Sequence, residues 1–118
     1  MINKDREVGG THYSDMNVEP IELIEAFDLN FVQGSIVKYV SRYKSKGGVQ
    51  DLEKALHYCE IGLDDKSNGM DLTKKDNIVI DWYCISNNIH PYERYAIESA
   101  ITKDYGNCKS WIYKVIEG

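Results

Sequence analysis

The stretch 30-NFVQGSIVKYVSRYKSKGGVQDLEKALHYCE-60 decides the fold, and it reads as two amphipathic helices joined by a glycine pair. Ile36, Val40 and Tyr43 recur at i, i+4 and i+7, the spacing that gathers apolar side chains on one helix face. The pattern predicts a helix over about residues 31–44. Gly47-Gly48 then stops it, since glycine readily adopts the left-handed backbone common at helix ends. Leu52, Leu56, Cys59 and Leu63 form the apolar line of a second helix over about residues 49–63. So short a connection returns the chain antiparallel, and a helical hairpin is expected at the centre of the protein.

The same stretch concentrates charge. Lys38, Arg42, Lys44 and Lys46 fall within nine positions that hold no acid. Lys38 and Arg42, four apart, share a helix face. Arginine presents a planar fork that fits phosphate or carboxylate oxygens, and lysine adds a mobile point charge, so the pair suits a polyanionic ligand. The alternative is a solvated face whose charges pair with Asp51 or Glu53 across the hairpin.

Working outward, residues 1–19 are polar, contain Gly9-Gly10, and predict an extended arm that ends at Pro20. A proline fits the first turn of a helix, where its missing N–H would have had no partner. "PIELIEAF" then gives a short helix with Ile21, Leu23 and Ile24 inward and Glu22 and Glu25 outward. "DDKSNGMD", residues 64–71, reads as a linker. Beyond it Thr73 and Asp76 form the T-x-x-D of a helix cap. The helix they open is expected to bury Ile78, Trp82, Ile85 and Ile89, although its β-branched run would also suit a strand. Pro91 starts a fifth helix carrying Tyr95, Ala96, Ile97 and Ile101. After "DYGN", Asn107 is expected to cap a last helix docked by Trp111, Ile112, Val115 and Ile116. Nothing alternates with period two for long. The expectation is a mostly α single domain over residues 1–118, a small bundle of about five or six helices. It divides into the arm (1–19), a helical core (20–65) and a C-terminal helical extension (66–118).

A chain of 118 residues can bury a core of its own without disulfide or metal. Its net charge of −5 argues against general DNA binding or membrane coating, because phosphate surfaces need a positive partner. The start "MINKDREVGG" is polar and predicts neither signal peptide nor membrane span. Cys59, Cys84 and Cys108 are odd in number and widely spaced, which suits free thiols in a reducing cytoplasm. The nine tyrosines fit either a core with hydroxyls at its edge or a binding surface. A homodimer through the hairpin is also expected as an option, since such hairpins often bury a remaining apolar face symmetrically.

Three further groups could carry chemistry. In "GGTHYS", Gly9-Gly10 lets backbone N–H groups approach a ligand, and His12 and Tyr13 supply an imidazole and a stacking ring. Glu19, Glu22 and Glu25, with Asp51, Glu60, Asp64 and Asp65, could hold Mg²⁺ beside a nucleotide, or could be exposed acidic faces. The ExxExxE in "EPIELIE" is slightly similar to the magnesium motif of helical nucleotide pyrophosphohydrolases, but the matching ExxD is missing, because Leu63 stands at the offset from Glu60. His57 and Cys59 are two apart and fall on different helix faces, which disfavours zinc. No G-x-x-x-x-G-K-[ST] P-loop occurs.

Taken together, residues 8–60 resemble a family of small bacteriophage proteins with the pattern GGxHY, PIE, LNFxxGNxxKYxxRYxxK and DLxKAxxYLE. The family is catalogued as one of unknown function and often labelled nucleotide kinase-like. The resemblance implies roles for Gly10, His12, Tyr13, Pro20, Glu22, Asn30, Gly34, Lys38, Tyr39, Arg42, Lys46, Asp51, Lys54 and Tyr58. Ser14, Ser35 and Cys59 depart from its usual lysine, asparagine and leucine, and the first two take basic or polar groups from the implied site.

Two readings follow. In the first, a phage accessory protein in the cytoplasm of an infected bacterium binds a nucleotide or other phosphorylated small molecule, with nucleotide kinase-like transfer as the activity the resemblance implies. Lys38 and Arg42, with Lys46 or Lys54, would hold phosphates, His12 and Tyr13 would close over sugar or base, and Glu22 or Asp51 would orient water or Mg²⁺. In the second, the chain is a non-catalytic counter-defence protein that blocks a basic host protein such as a CRISPR nuclease. That surface would lie in the second half, with Tyr83, Tyr92, Tyr95, Tyr105 and Tyr113.

Overall fold

The computed structural model describes residues 16–118, which form six α-helices and no strand. They are α1 (Pro20–Ala26), α2 (Phe31–Arg42), α3 (Val49–Gly62), α4 (Lys74–Ser86), α5 (Pro91–Ile101) and α6 (Tyr105–Glu117). The helices α2 and α3 make one hairpin and α5 and α6 a second. The two hairpins pack in layers, α2 on α5 and α3 on α6, while α1 lies across α2 and touches α4. The mostly α bundle read from the sequence is therefore the observed architecture.

Local chemistry explains where α2 begins and ends. Asn30 caps it by accepting the Gln33 N–H at 2.8 Å, and the Gln33 side-chain oxygen accepts the Asn30 N–H at 3.0 Å. Such a reciprocal cap satisfies two N–H groups that the first turn leaves without helical partners. The other end of the same side chain is buried, and its Nε2 donates to the Ala100 and Ile101 carbonyls, both at 3.0 Å. At the far end α2 stops at Arg42 with Tyr43 as its C-cap, and after a run of turns Gly48, the N-cap of α3, adopts φ 57°, ψ −141°, a region that side chains with a Cβ essentially avoid.

The core takes Leu23 from α1, Ile36, Val37 and Val40 from α2, and Ala96, Ile97, Ala100 and Ile101 from α5. From α3 it takes Leu52, Ala55 and Cys59, with Gly62 buried at the end of the same row. Leu63, expected on that row, is exposed. The packed line follows the small residues, because α6 approaches α3 closely there. A Cβ on Gly62 would lie 2.5 Å from the Tyr105 ring.

Two expectations need correction. The apolar line expected in α4 faces outward. Ile78, Trp82 and Ile85 are exposed, whereas Ile80, Tyr83 and Cys84 are buried. This helix is apolar on both sides, so periodicity could not choose between them. The choice falls to Tyr83, whose hydroxyl donates to Ser41 of α2 at 2.8 Å. The last helix is capped by Asp104, not Asn107. The Asp104 carboxylate accepts the Asn107 N–H at 3.4 Å and its side-chain amide at 2.6 Å.

The connections are held down. Met16, Val18 and Glu19 are buried, and the Asn87 side chain brackets Val18, accepting its N–H at 3.0 Å and donating to its carbonyl at 2.8 Å. Asn17 donates to the Ser86 carbonyl at 2.6 Å. In the connection after α3, Asp65 accepts both the N–H and the hydroxyl of Ser67, and Lys103 pairs with Asp65 at 3.3 Å. These contacts hold the Asp65 carboxyl down at about 2, the Ser67 hydrogen bonds being the main cause. Gly69 passes so close to α5 that a Cβ there would fall 1.8 Å from the Thr102 oxygen. No helix of the described residues is long and apolar enough to cross a membrane.

Candidate functional site

The α2–α3 hairpin places the basic residues around one aromatic ring. Lys38 Nζ lies 4.5 Å from the centroid of Tyr39, Arg42 Cζ 5.1 Å, and Lys54 Nζ 5.5 Å. Cations within about 6 Å of a ring are drawn to its negative face. Tyr39 stacks on Tyr58 at 6.1 Å, and Phe31 meets Tyr58 edge-on at 5.7 Å. Phe31 itself is 76% exposed. The outer face of the hairpin thus carries a row of three aromatic rings with cations at one end.

Beneath the row lies Asp51, only 1% exposed. Its carboxylate takes the Arg42 fork side-on, with Nε at 3.2 Å and Nη2 at 3.5 Å, and also accepts the Gly47 N–H at 3.0 Å. Lys54 Nζ stands 3.9 Å away. A buried carboxylate persists only when paired and hydrogen-bonded, and Asp51 is both. Arg42 thus makes the pairing across the hairpin that was the alternative reading of its charge. Pairing also fixes the guanidinium in place beside Tyr39. The mobile charge of the site belongs to Lys38 and Lys54.

The remaining basic residues of the run diverge. Lys44 turns toward Glu93 at 3.4 Å on another face of α2, and Lys46 is exposed beyond the helix end. Asn30 and Glu22 have structural work. Asn30 caps α2, and Glu22 accepts the Glu19 N–H at 3.3 Å in the capping box of α1. Gly10, His12 and Tyr13 lie outside the described residues. The structure therefore gathers Lys38, Arg42, Asp51 and Lys54 about Tyr39 and gives Glu22 a capping role.

A recess of about 210 Å³ opens between α1 and the start of α2, walled by Ile24, Leu29 and Phe31, with Asn30, Ser35 and Lys38 on its polar side. Small-molecule pockets usually hold at least roughly 300 Å³, so a ligand here would fill the recess with one part and lie on the aromatic row with the rest. Gly34 matters to this shape. A Cβ there would meet Ile24 at 3.2 Å and narrow the recess.

Sequence reasoning missed a second polar centre. Glu93, 5% exposed, accepts the Tyr43 hydroxyl at 2.6 Å and is the partner of Lys44. Burial, reinforced by Glu93, pushes the Tyr43 phenol well up. Tyr43 and Glu93 line a recess of about 460 Å³ at the end of α2 together with His90, Tyr92 and Lys114. Glu93 sits in the first turn of α5, where an acid is common for dipole reasons alone. Nothing at that position signalled a partner fifty residues earlier.

Of the tyrosines expected on an interaction surface, Tyr83 and Tyr105 are core residues. Tyr92 and Tyr95 are exposed and lie against Trp111, with centroids at 5.7 and 4.7 Å, and Tyr113 is exposed. His57 packs on Tyr58 at the surface, whereas Cys59 is fully buried, so the two do not share a site. Among the described residues no group of three or more His, Cys, Asp or Glu side chains is gathered to hold a metal ion.

No curated protein and no solved structure matches the chain. Residues 8–60 match the model of a family described as a protein of unknown function (DUF3310), so the chain is similar to that family over a segment that carries α1, α2 and most of α3.

Proposed function

We propose that the outer face of the α2–α3 hairpin binds a phosphorylated planar ligand, a nucleotide being the chemistry that fits it. The observation that carries this reading is the convergence of Lys38, Arg42 and Lys54 on the Tyr39 ring from two helices, at 4.5, 5.1 and 5.5 Å. Phosphate oxygens would meet the two lysines and the outer edge of the Arg42 fork, while a base would stack on the exposed Phe31 ring. Stacking on an aromatic ring contributes about 1–3 kcal/mol per base. The nucleotide kinase-like phage family that residues 8–60 resemble supports the same ligand class. The test is calorimetric titration with nucleoside mono-, di- and triphosphates and cyclic nucleotides. Arg42 is a poor residue to remove, since its loss strands buried Asp51. Lys38→Gln with Lys54→Gln removes charge and gives up only the 3.9 Å contact of Lys54 with Asp51, leaving the closer Arg42–Asp51 pair intact. At about 1.5–3 kcal/mol for each charge-assisted bond, the double variant is expected to bind at least 100-fold more weakly. Absence of heat with every ligand at millimolar concentration, with an unchanged melting temperature, overturns the proposal.

A second reading has its own observation, the exposed cluster of Tyr92 and Tyr95 on Trp111. Aromatic clusters of this kind anchor protein interfaces, and a net charge of −5 favours a basic partner such as a host nuclease. In this reading the protein is a phage counter-defence factor. Pull-down from bacterial lysate tests it: a partner held by the natural chain should be lost with Tyr92→Ala and Tyr95→Ala, and its retention refutes this surface.

A further inference from the structure

The outward face of α4 carries an apolar ridge. Ile78, Trp82 and Ile85 are 66%, 47% and 79% exposed and recur at i, i+4 and i+7, so they form one ridge along the helix. Together they leave roughly 400 Å² of apolar surface in water, the size of patch that on a monomer is often functional. The inward face already supplies Ile80, Tyr83 and Cys84 to the core, so the fold does not need the ridge for its own packing.

The charges of α4 are unevenly placed along it. Lys74 and Lys75 occupy its first two positions, where the positive end of the helix dipole repels them; Asp76, the acid of that turn, is engaged in the cap with Thr73, and the last turn holds no base. The acid in its second half, Asp81, keeps a half-exposed side chain although it pairs with Arg94. A helix with two cations at its start, and a half-exposed acid and a negative end without a base in its second half, complements its own reversed copy. We infer that α4 is a homodimer interface, in which two copies pack ridge to ridge and antiparallel about a two-fold axis near Trp82. In that arrangement Ile78 rests on the partner's Ile85, and Lys74 and Lys75 reach the C-terminal half of the partner's α4. The ridge supplies about half of the roughly 800 Å² per partner that a stable interface buries, and its polar flanks supply the rest.

Sedimentation equilibrium of the full chain, from micromolar to a few hundred micromolar, tests this inference. The expected result is a reversible approach to twice the chain mass of 13.6 kDa. Ile85→Glu should raise the dimer dissociation constant more than tenfold, with an unchanged helical circular dichroism spectrum because the residue is already exposed. Ile61→Glu, an equally polar change at an exposed site on α3, should leave it unaltered. A single-chain mass at every concentration overturns the inference, and so does a dimer indifferent to Ile85→Glu. Cross-linking tests the orientation. The three natural cysteines are buried, so Ile78→Cys and Ile85→Cys chains present one accessible thiol each. Mixed and oxidised with diamide, they should give the hetero-disulfide well above either homo-disulfide; a dominant homo-disulfide overturns the antiparallel register.

Discussion

Replacing Gly47 by alanine tests whether the carboxylate beneath the aromatic row is held as rigidly as its contacts imply. Gly47 has no left-handed backbone to relieve, so in an ordinary loop the change would stabilise the protein by about 0.4–1 kcal/mol through the unfolded chain. Here the new Cβ would lie 2.3 Å from the carboxylate carbon and Oδ1 of Asp51 and 2.5 Å from Oδ2. The carboxylate cannot swing into solvent, because it is 1% exposed and held by Arg42 and the Gly47 N–H. Making room means moving it by about 1 Å, which breaks the 3.0 Å bond from Gly47 and stretches the 3.2 Å bond from Arg42. Charge-assisted bonds of this kind contribute about 1.5–3 kcal/mol each, so the expected net loss is about 2 kcal/mol. For a chain of this size that is a fall of roughly 8 °C in melting temperature. Thermal denaturation followed by circular dichroism measures it. The decisive comparison is the same substitution in an Asp51→Ala background, where the methyl group finds space and the change should become neutral or slightly stabilising. An equal cost in both backgrounds refutes the reasoning.

Other outcomes follow from single contacts. Gly62→Ala should cost about 1–3 kcal/mol in urea unfolding, because its Cβ would meet the Tyr105 ring at 2.5 Å between two packed helices. Gln33→Leu leaves the Ala100 and Ile101 carbonyls without their buried donor, with an expected loss of about 2 kcal/mol by the same measurement. Burial pushes the Cys84 thiol up to about 11, above the 9.0 of a free thiol. Between those values the unfolded chain has released a proton that the folded chain keeps, so stability should be intact below pH 9 and decline toward pH 11. Cys84→Ala should flatten that slope in chemical denaturation across the range. All three thiols should react with a disulfide reagent at pH 8 only as fast as the protein opens, since each is buried.

The hairpin was legible because two independent signals agreed there, the i, i+4, i+7 line of Ile36, Val40 and Tyr43 and the glycine pair that leads into α3. The cap at Thr73 and the helix start at Pro91 were legible for the same local reason. The orientation of α4 was not. With Ile78, Trp82 and Ile85 on one side and Ile80, Tyr83 and Cys84 on the other, the decision lay in a hydroxyl contact to Ser41 that no window of sequence contains. At the candidate site, spacing put Lys38 and Arg42 on one face but could not tell a partner acid from a ligand. The structure shows that Arg42 has a protein partner, Asp51, and that Tyr39 is the group around which the charges collect. The Tyr43–Glu93 contact was invisible for a plainer reason, since it joins the two hairpins.

The side chain of Gln33 has a consequence for how such proteins can be cut and recombined. It begins α2 and, from the same residue, ties down the end of α5, so the segment that resembles a family and the segment that does not share one folding unit. A fragment that stops at residue 60 would bare Val37, Val40 and Leu52 to water and leave the glutamine amide with no acceptor. Any protein that carries only the first segment must therefore shelter the same helix pair with some other neighbour, and the choice of neighbour is where such proteins are free to diverge.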